Sequence, residues 1–201
     1  MRLALLGPAD GDVSALARGA ASALDKLEAD RVVYLGIDDA MDQVVAGWAA
    51  LLGASLPLAT RAAALLDADA TTIHAELERE HARRRLGRLS SLAGPKARAI
   101  ELMQERLILL VDDKAILDEE DLIPASVIVF GRGEPTLRRV GSRVFICPGM
   151  PAKRTQGLLL LDEGDALSGL IAVQCDLDGE QVSREVLDTG KSVKLRVQGA
   201  I

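Results

Sequence analysis

Aromatic side chains are nearly missing from this chain, which has one Trp, one Tyr and two Phe among 201 residues. That scarcity argues against the stacking platforms on which proteins hold single-stranded nucleic acid. A net charge of -6 argues against a phosphate backbone as partner. Histidine occurs only as His74 and His81, two helical turns and about 10 Å apart, too far to share one metal ion without ligands from elsewhere. Cys147 and Cys175 are the only cysteines. With no export signal they are expected as free thiols in a reducing cytoplasm. No apolar run approaches the roughly 18 residues of a membrane span, and the apolar part of the opening MRLALLG is too short for a secretory signal. The turn Gly7 to Gly11 lacks the GK(S/T) of a P-loop, and the sequence has no GxSxG nucleophile elbow.

What is present is the composition of a globular protein, 49% hydrophobic and 27% charged, of a length that suits one well-buried core. One domain over 1–201 is the expectation. Its first dozen residues set the pattern: Leu3 to Leu6 run into a turn bearing Gly7, Pro8 and Gly11, and a periodic helix follows with Asp12 as its N-cap. RVVYLG, Arg31 to Gly36, reads as a second buried strand. Asp38 and Asp39 then stand before a second amphipathic helix that closes at Gly53. This β-α-β-α order implies a largely parallel sheet with helices packed on it.

From Ala59 to Met103 the spacing predicts helix after helix, with Pro95 in the first turn of the last one. The charged stretch Glu76 to Arg85 reads as a solvated helix face. Strand signal returns at LILLV, Leu107 to Val111, and VIVF, Val127 to Phe130, with an acidic helical stretch at Leu117 to Leu122 between them. Leu137 to Val140 and Val144 to Ile146 form a hairpin around Gly141 and Ser142. Further strands are expected at Leu158 to Leu161, Leu170 to Cys175, Val182 to Val186 and Val193 to Val197, so the C-terminal half reads as mainly antiparallel.

Read together, these stretches resemble the calcineurin-like metallophosphoesterases, specifically their small bacterial branch. That family opens with a strand and DxHGN, follows its second strand with GD, carries GNH(D/E) in the middle, and closes with GHTH, a hairpin and NPGS. Here GPADGD follows the first strand with Gly11 in the glycine place, and DRVVYLG leads toward the position of GD. LILLV precedes Asp112, where the family has a histidine; VIVFG runs into Arg132, Gly133 and Glu134; and Ile146, Cys147, Pro148 and Gly149 stand close to NPG. The matched stretches are about the first forty residues and Arg106 to Met150, roughly two-fifths of the chain. The resemblance implies an α/β sandwich of mixed β-sheets flanked by helices, with 59–103 as a helical segment within it.

The family's metal ligands are replaced throughout. In ungapped alignment the two ligands of DxH fall on Pro8 and Asp10, the aspartate of GD on Ile37, and the histidines of GHTH on Arg132 and Glu134. A dinuclear phosphoesterase needs a bridging carboxylate and several imidazole or carboxylate ligands. Pro8 and Ile37 offer none, and Arg132 brings a fixed positive charge to a cation's place. The leading expectation is a catalytically inactive chain that works through a protein partner or through itself as a homo-oligomer, in the cytoplasm and without a resident cofactor. A second reading rebuilds an all-oxygen site for Mg, Ca or Mn, with Asp10, Asp112 and Glu134 as catalytic candidates and Asp10, Asp12 and Asp38 as metal candidates, joined by Asp39. Against it, Asp12, Asp38 and Asp39 stand where helix caps belong. A third reading makes the glycine-bearing turn and Arg132 a phosphate or nucleotide site without catalysis. Of the adjacent acids Asp112 and Asp113, the pleat allows one to face a cleft. Cys147 is expected as a buried small side chain rather than a nucleophile.

Overall fold

A computed structural model describes residues 1–53, 56–151, 156–164 and 169–187. Two mixed sheets lie face to face. The six-stranded sheet is built from β1 (Arg2–Leu6), β2 (Arg31–Tyr34), β3 (Leu89–Ser91), β9 (Leu158–Asp162), β10 (Ile171–Cys175) and β11 (Gln181–Val186), in the order β11-β10-β9-β1-β2-β3. The five-stranded sheet holds β4 (Ala99–Met103), β5 (Arg106–Val111), β6 (Val127–Phe130), β7 (Thr136–Val140) and β8 (Arg143–Cys147), in the order β4-β5-β6-β8-β7.

Alternation along the strands makes the layers. Leu3 and Leu5 of β1 point into the core between the sheets, together with Val33, Ile108, Leu110, Val127, Val129, Val144 and Ile146. Their neighbours Ala4 and Leu6 point outward under α1 (Val13–Asp25) and α2 (Ala40–Leu51), where Leu16, Ala20, Met41 and Val44 cover them. On the far face Leu109, Val111, Ile128, Phe130 and Cys147 pack against Ile116, Leu117 and Leu122, which belong to a 3-10 turn (Lys114–Ile116), its C-cap Leu117 and α5 (Glu119–Leu122). Strands buried on both faces must be apolar at every position, which is why LALL, LILLV and VIVF read as unbroken runs. The mixed α/β sandwich expected from the sequence is the fold observed.

Two expectations need correction. The middle is helical only through α3 (Leu58–Leu65) and α4 (Ala70–Leu86); β3 and β4 follow, and Pro95 lies in the turn before β4 instead of starting a helix. AIELM in β4 is made of good helix formers, and only its pairing with β5, Ala99 opposite Leu110 to Met103 opposite Arg106, makes it a strand. The C-terminal half is mainly antiparallel, as expected: β1 with β9, β9 with β10, β10 with β11, β4 with β5 and β7 with β8 all pair antiparallel. β5, β6 and β8 are parallel neighbours at the centre of their sheet, and the antiparallel pairs lie outside them. The acidic helix is also shorter than Leu117 to Leu122, because Asp118 caps it with a reciprocal box to Asp121 and starts it at Glu119. The strand expected at Val193 to Val197 lies outside the described residues. Among the described residues no helix is long and apolar enough to cross a membrane.

Candidate functional site

The loops that leave β1, β2, β5, β6 and β8 meet at one end of the sandwich. Two glycines let the chain approach closely there. Gly7 lies so close to the Gly149 carbonyl that any side chain would overlap it, and a Cβ on Gly131 would stand 2.7 Å from Pro8 Cδ and 3.0 Å from Leu35 Cβ. Pro8 is buried and fills the space between the sheets' strand ends. Asp10 and Gly11 turn the chain back with φ of 49° and 83°, the left-handed region that Asp tolerates and Gly favours.

Tyr34 holds this turn. Its ring is fully buried, its hydroxyl accepts from Ala9 N at 2.8 Å and donates to Asp38 Oδ1 at 2.8 Å, and Asp38 Oδ2 accepts from Gly11 N at 3.2 Å. Burial and the neighbouring Asp38 carboxylate push the phenol well above its ordinary range, so it stays a donor at any ordinary pH. Asp38 also accepts from Ala40 N at 3.3 Å and so caps α2. Asp39 occupies the N-cap position without bonding the helix backbone, and accepts instead from Gln43 Nε2 at 2.9 Å. The sequence analysis passed over Tyr34, although its signal is there: the chain's one tyrosine sits two residues before Gly36, where a Cβ would overlap its ring.

Arg132, on the loop after β6, is the hub of the remaining acids. Its Nε donates to Asp112 Oδ2 at 3.0 Å, and its Nη1 lies 3.7 Å from Asp10 Oδ1. The Asp112 carbonyl accepts from the backbone N–H of Gly131 at 2.9 Å and of Arg132 at 2.8 Å, which fixes the two loops in register. Asp112 is 4% exposed, and its Oδ1 is buried without a hydrogen-bond partner. Asp112, then Asp10, hold the guanidinium in its charged form even more firmly than usual.

The other expected site residues disperse. Asp12 accepts from Ala15 N at 2.9 Å as the N-cap of α1. Asp113 turns away from Asp112 and caps the 3-10 turn through Ala115 N at 2.9 Å. Glu134 is exposed near Cys147, and Ile37 is 38% exposed. Cys147 is fully buried and its thiol, pushed up by burial, donates to the Gly131 carbonyl at 3.5 Å. His74 and His81 lie on exposed positions of α4, away from any such cluster. Among the described residues, no three His, Cys, Asp or Glu side chains stand together as a metal-binding group. The donors present do not fit the family's two-metal centre: Asp12 and Asp38 are committed to backbone N–H groups, and a guanidinium lies between Asp10 and Asp112.

Fold and site together define a class: a two-sheet α/β sandwich whose strand-end loops converge on an arginine clamped by carboxylates. No family model matches the chain, and no curated protein matches it. Among solved structures it is similar to a conserved uncharacterised protein of Streptococcus pneumoniae described as a predicted phosphoesterase, with 13% identity over 90% of this chain and 91% of that one and a TM-score of 0.47. The reading of the site therefore rests on its own geometry.

Proposed function

We propose that this chain is a phosphoesterase-like scaffold without phosphoesterase chemistry, and that it acts through contacts with another protein or with itself. One observation carries the reading: the Arg132 guanidinium bonds Asp112 and faces Asp10 at the strand ends where the resembled family keeps its metals. A hydrolytic site of that kind needs a cation that polarises phosphate and acidifies a water. A guanidinium supplies charge but has no open coordination position and cannot lower the pKa of a water in that way. Pro8 and Ile37 remove two further ligand positions while preserving the turns.

The carboxylate-only alternative has one observation in its favour, the unpartnered Oδ1 of buried Asp112. One experiment separates the two. Purified protein is assayed for bound metal and for hydrolysis of a generic phosphodiester with added Mn. No stoichiometric metal and no turnover above buffer are the expected results. Metal-dependent turnover that disappears in Asp10→Ala would replace the proposal with the alternative.

A further inference from the structure

The charged stretch Glu76 to Arg85 reads in the sequence as a solvated helix face, yet one stripe of α4 is largely covered. Thr72, Glu76, Arg79 and Arg83 follow one another at i, i+4, i+7 and i+11, and Arg61 of α3 reaches across to them. The side chains of Arg61, Glu76 and Arg83 are 17%, 17% and 18% exposed. Glu76 Oε1 accepts from Arg61 Nη1 at 3.2 Å and from Arg83 Nη1 at 3.4 Å, and its Oε2 accepts from Arg79 Nη1 at 3.0 Å. Glu80 Oε2 accepts from the same Arg61 Nη1 at 2.6 Å. Arg83 Nη2 donates to the Leu52 carbonyl at 3.2 Å, which ties α4 to the end of α2. Apolar side chains would hold two helices together at least as well as charges taken out of water. Packing alone does not call for such a network.

Beside it lies an open cavity of about 340 Å³, within the range of small-molecule sites. Its lining joins the three arginines and Glu76 to Leu52, Leu56 and Leu65, and Leu56 is 53% exposed. Hydrogen bonds from Arg79 and Arg61 hold the Glu76 carboxyl below the usual carboxylate range, and one from Arg61 does so for Glu80, so both are ionised at neutral pH. Within the lining, three guanidiniums thus face one carboxylate. The flanking Glu80 and Arg84 bond each other at 3.4 Å and leave that surplus unchanged. Asp69 is outside the lining and is spent as the N-cap of α4 on Thr72 N at 2.7 Å. Hydrogen-bond donors are in surplus too: both Glu76 oxygens are taken, and Arg61 Nε is buried without a partner.

We propose that this cavity binds an amphipathic anion, with its oxyanion head, carboxylate or phosphate, on Arg61, Arg79 and Arg83 and its apolar body against Leu52, Leu56 and Leu65. Guanidinium forks match the planar or tetrahedral oxygens of such a head, and an alkyl or single-ring body suits the apolar wall. The site belongs to the helices between β2 and β3, apart from the strand-end loops, and holds whether or not those loops hydrolyse anything.

The test is isothermal titration calorimetry on the full chain at pH 7 with octanoate and with octyl phosphate. Saturable binding of at least one of them, at one site per chain, is expected, and the tighter of the two names the head. The four-carbon anion with the same head is expected to bind at least about tenfold more weakly, having less apolar surface to bury. Octylamine, which has the same body and the opposite charge, is expected not to bind. Arg79→Met leaves Glu76 its bonds from Arg61 and Arg83, so the helices stay together, and is expected to weaken binding about tenfold or more. Arg184→Met on β11 is expected to change nothing. No saturable binding of either eight-carbon anion up to about 10 mM overturns the proposal. So does octylamine or the four-carbon anion binding as tightly as the eight-carbon one, and so does a folded Arg79→Met that binds like the wild type. Phosphodiester hydrolysis by a chain that binds the anion overturns only the reading of the strand-end site as inactive.

Discussion

Replacing Arg132 with Met removes the charge and the hydrogen bond to Asp112 while keeping an unbranched side chain of similar reach. Asp112 is 4% exposed with one oxygen already unpartnered, so after the change its carboxylate has no strong donor left on either side-chain oxygen. Breaking a fully buried ion pair from one side costs about 3–5 kcal/mol. The Arg132 side chain, however, is 41% exposed, and water screens its share of the interaction. The hydrogen-bond scale for a charged group, about 1.5–3 kcal/mol, is the better guide, and it gives an expected loss of about 2 kcal/mol. For a chain of this size that is a fall in Tm of about 4–8 °C. Urea unfolding at pH 7, followed by far-UV circular dichroism, reads it directly. Asp112→Asn in the Arg132→Met background is expected to recover about half of the loss, because a neutral amide tolerates burial better than an unpaired carboxylate. A loss under about 0.5 kcal/mol in Arg132→Met, with no coupling in the double-mutant cycle, would refute the view that this pair organises the strand-end loops.

Three further outcomes follow from neighbouring contacts. Gly131→Ala drives a Cβ to 2.7 Å from the Pro8 ring, and equilibrium unfolding should show about 1–3 kcal/mol of destabilisation. Glu105→Gly relieves a left-handed backbone at φ 61°, and the same measurement should show a gain of about 0.5–1 kcal/mol. Both thiols are buried and lifted by burial, Cys175 to about 11, so at pH 8 they are protonated as well as covered. Mass spectrometry after iodoacetamide should find neither labelled in the native protein and both labelled in denaturant.

The sequence was most legible where burial and turn chemistry agree. LALLGP, RVVYLG, LILLV and VIVFG are apolar runs, three of them ending in Gly or Pro and LILLV in Asp112, and each is a strand feeding a loop of the site. Asp12 as a cap and the division of labour between Asp112 and Asp113 were legible for the same local reason. β4 was not, because Ala, Glu, Leu and Met favour helix on their own, and its hairpin turn is Gln-Glu instead of a glycine-bearing pair. The bonds from Arg132 to Asp112 and Asp10 lay beyond sequence reasoning, since they join residues 20 and 122 positions apart that only the sheets bring together. Tyr34 was missed because an aromatic in a strand reads as core first, and nothing local says that its hydroxyl reaches Ala9 and Asp38.

Between β2 and β3 the chain leaves its sheet, builds α2, α3 and α4, and returns to the very next strand position, with Val32 opposite Leu89 and Tyr34 opposite Ser91. The two ends of this excursion are thus fastened side by side by a parallel ladder that owes nothing to what lies between them. Lengthening such a detour adds only a slowly growing closure entropy. The sandwich can accordingly keep its strand-end architecture while the detour is exchanged, extended or trimmed, which makes this crossover the natural splice point for descendants and for engineered chimeras of the chain.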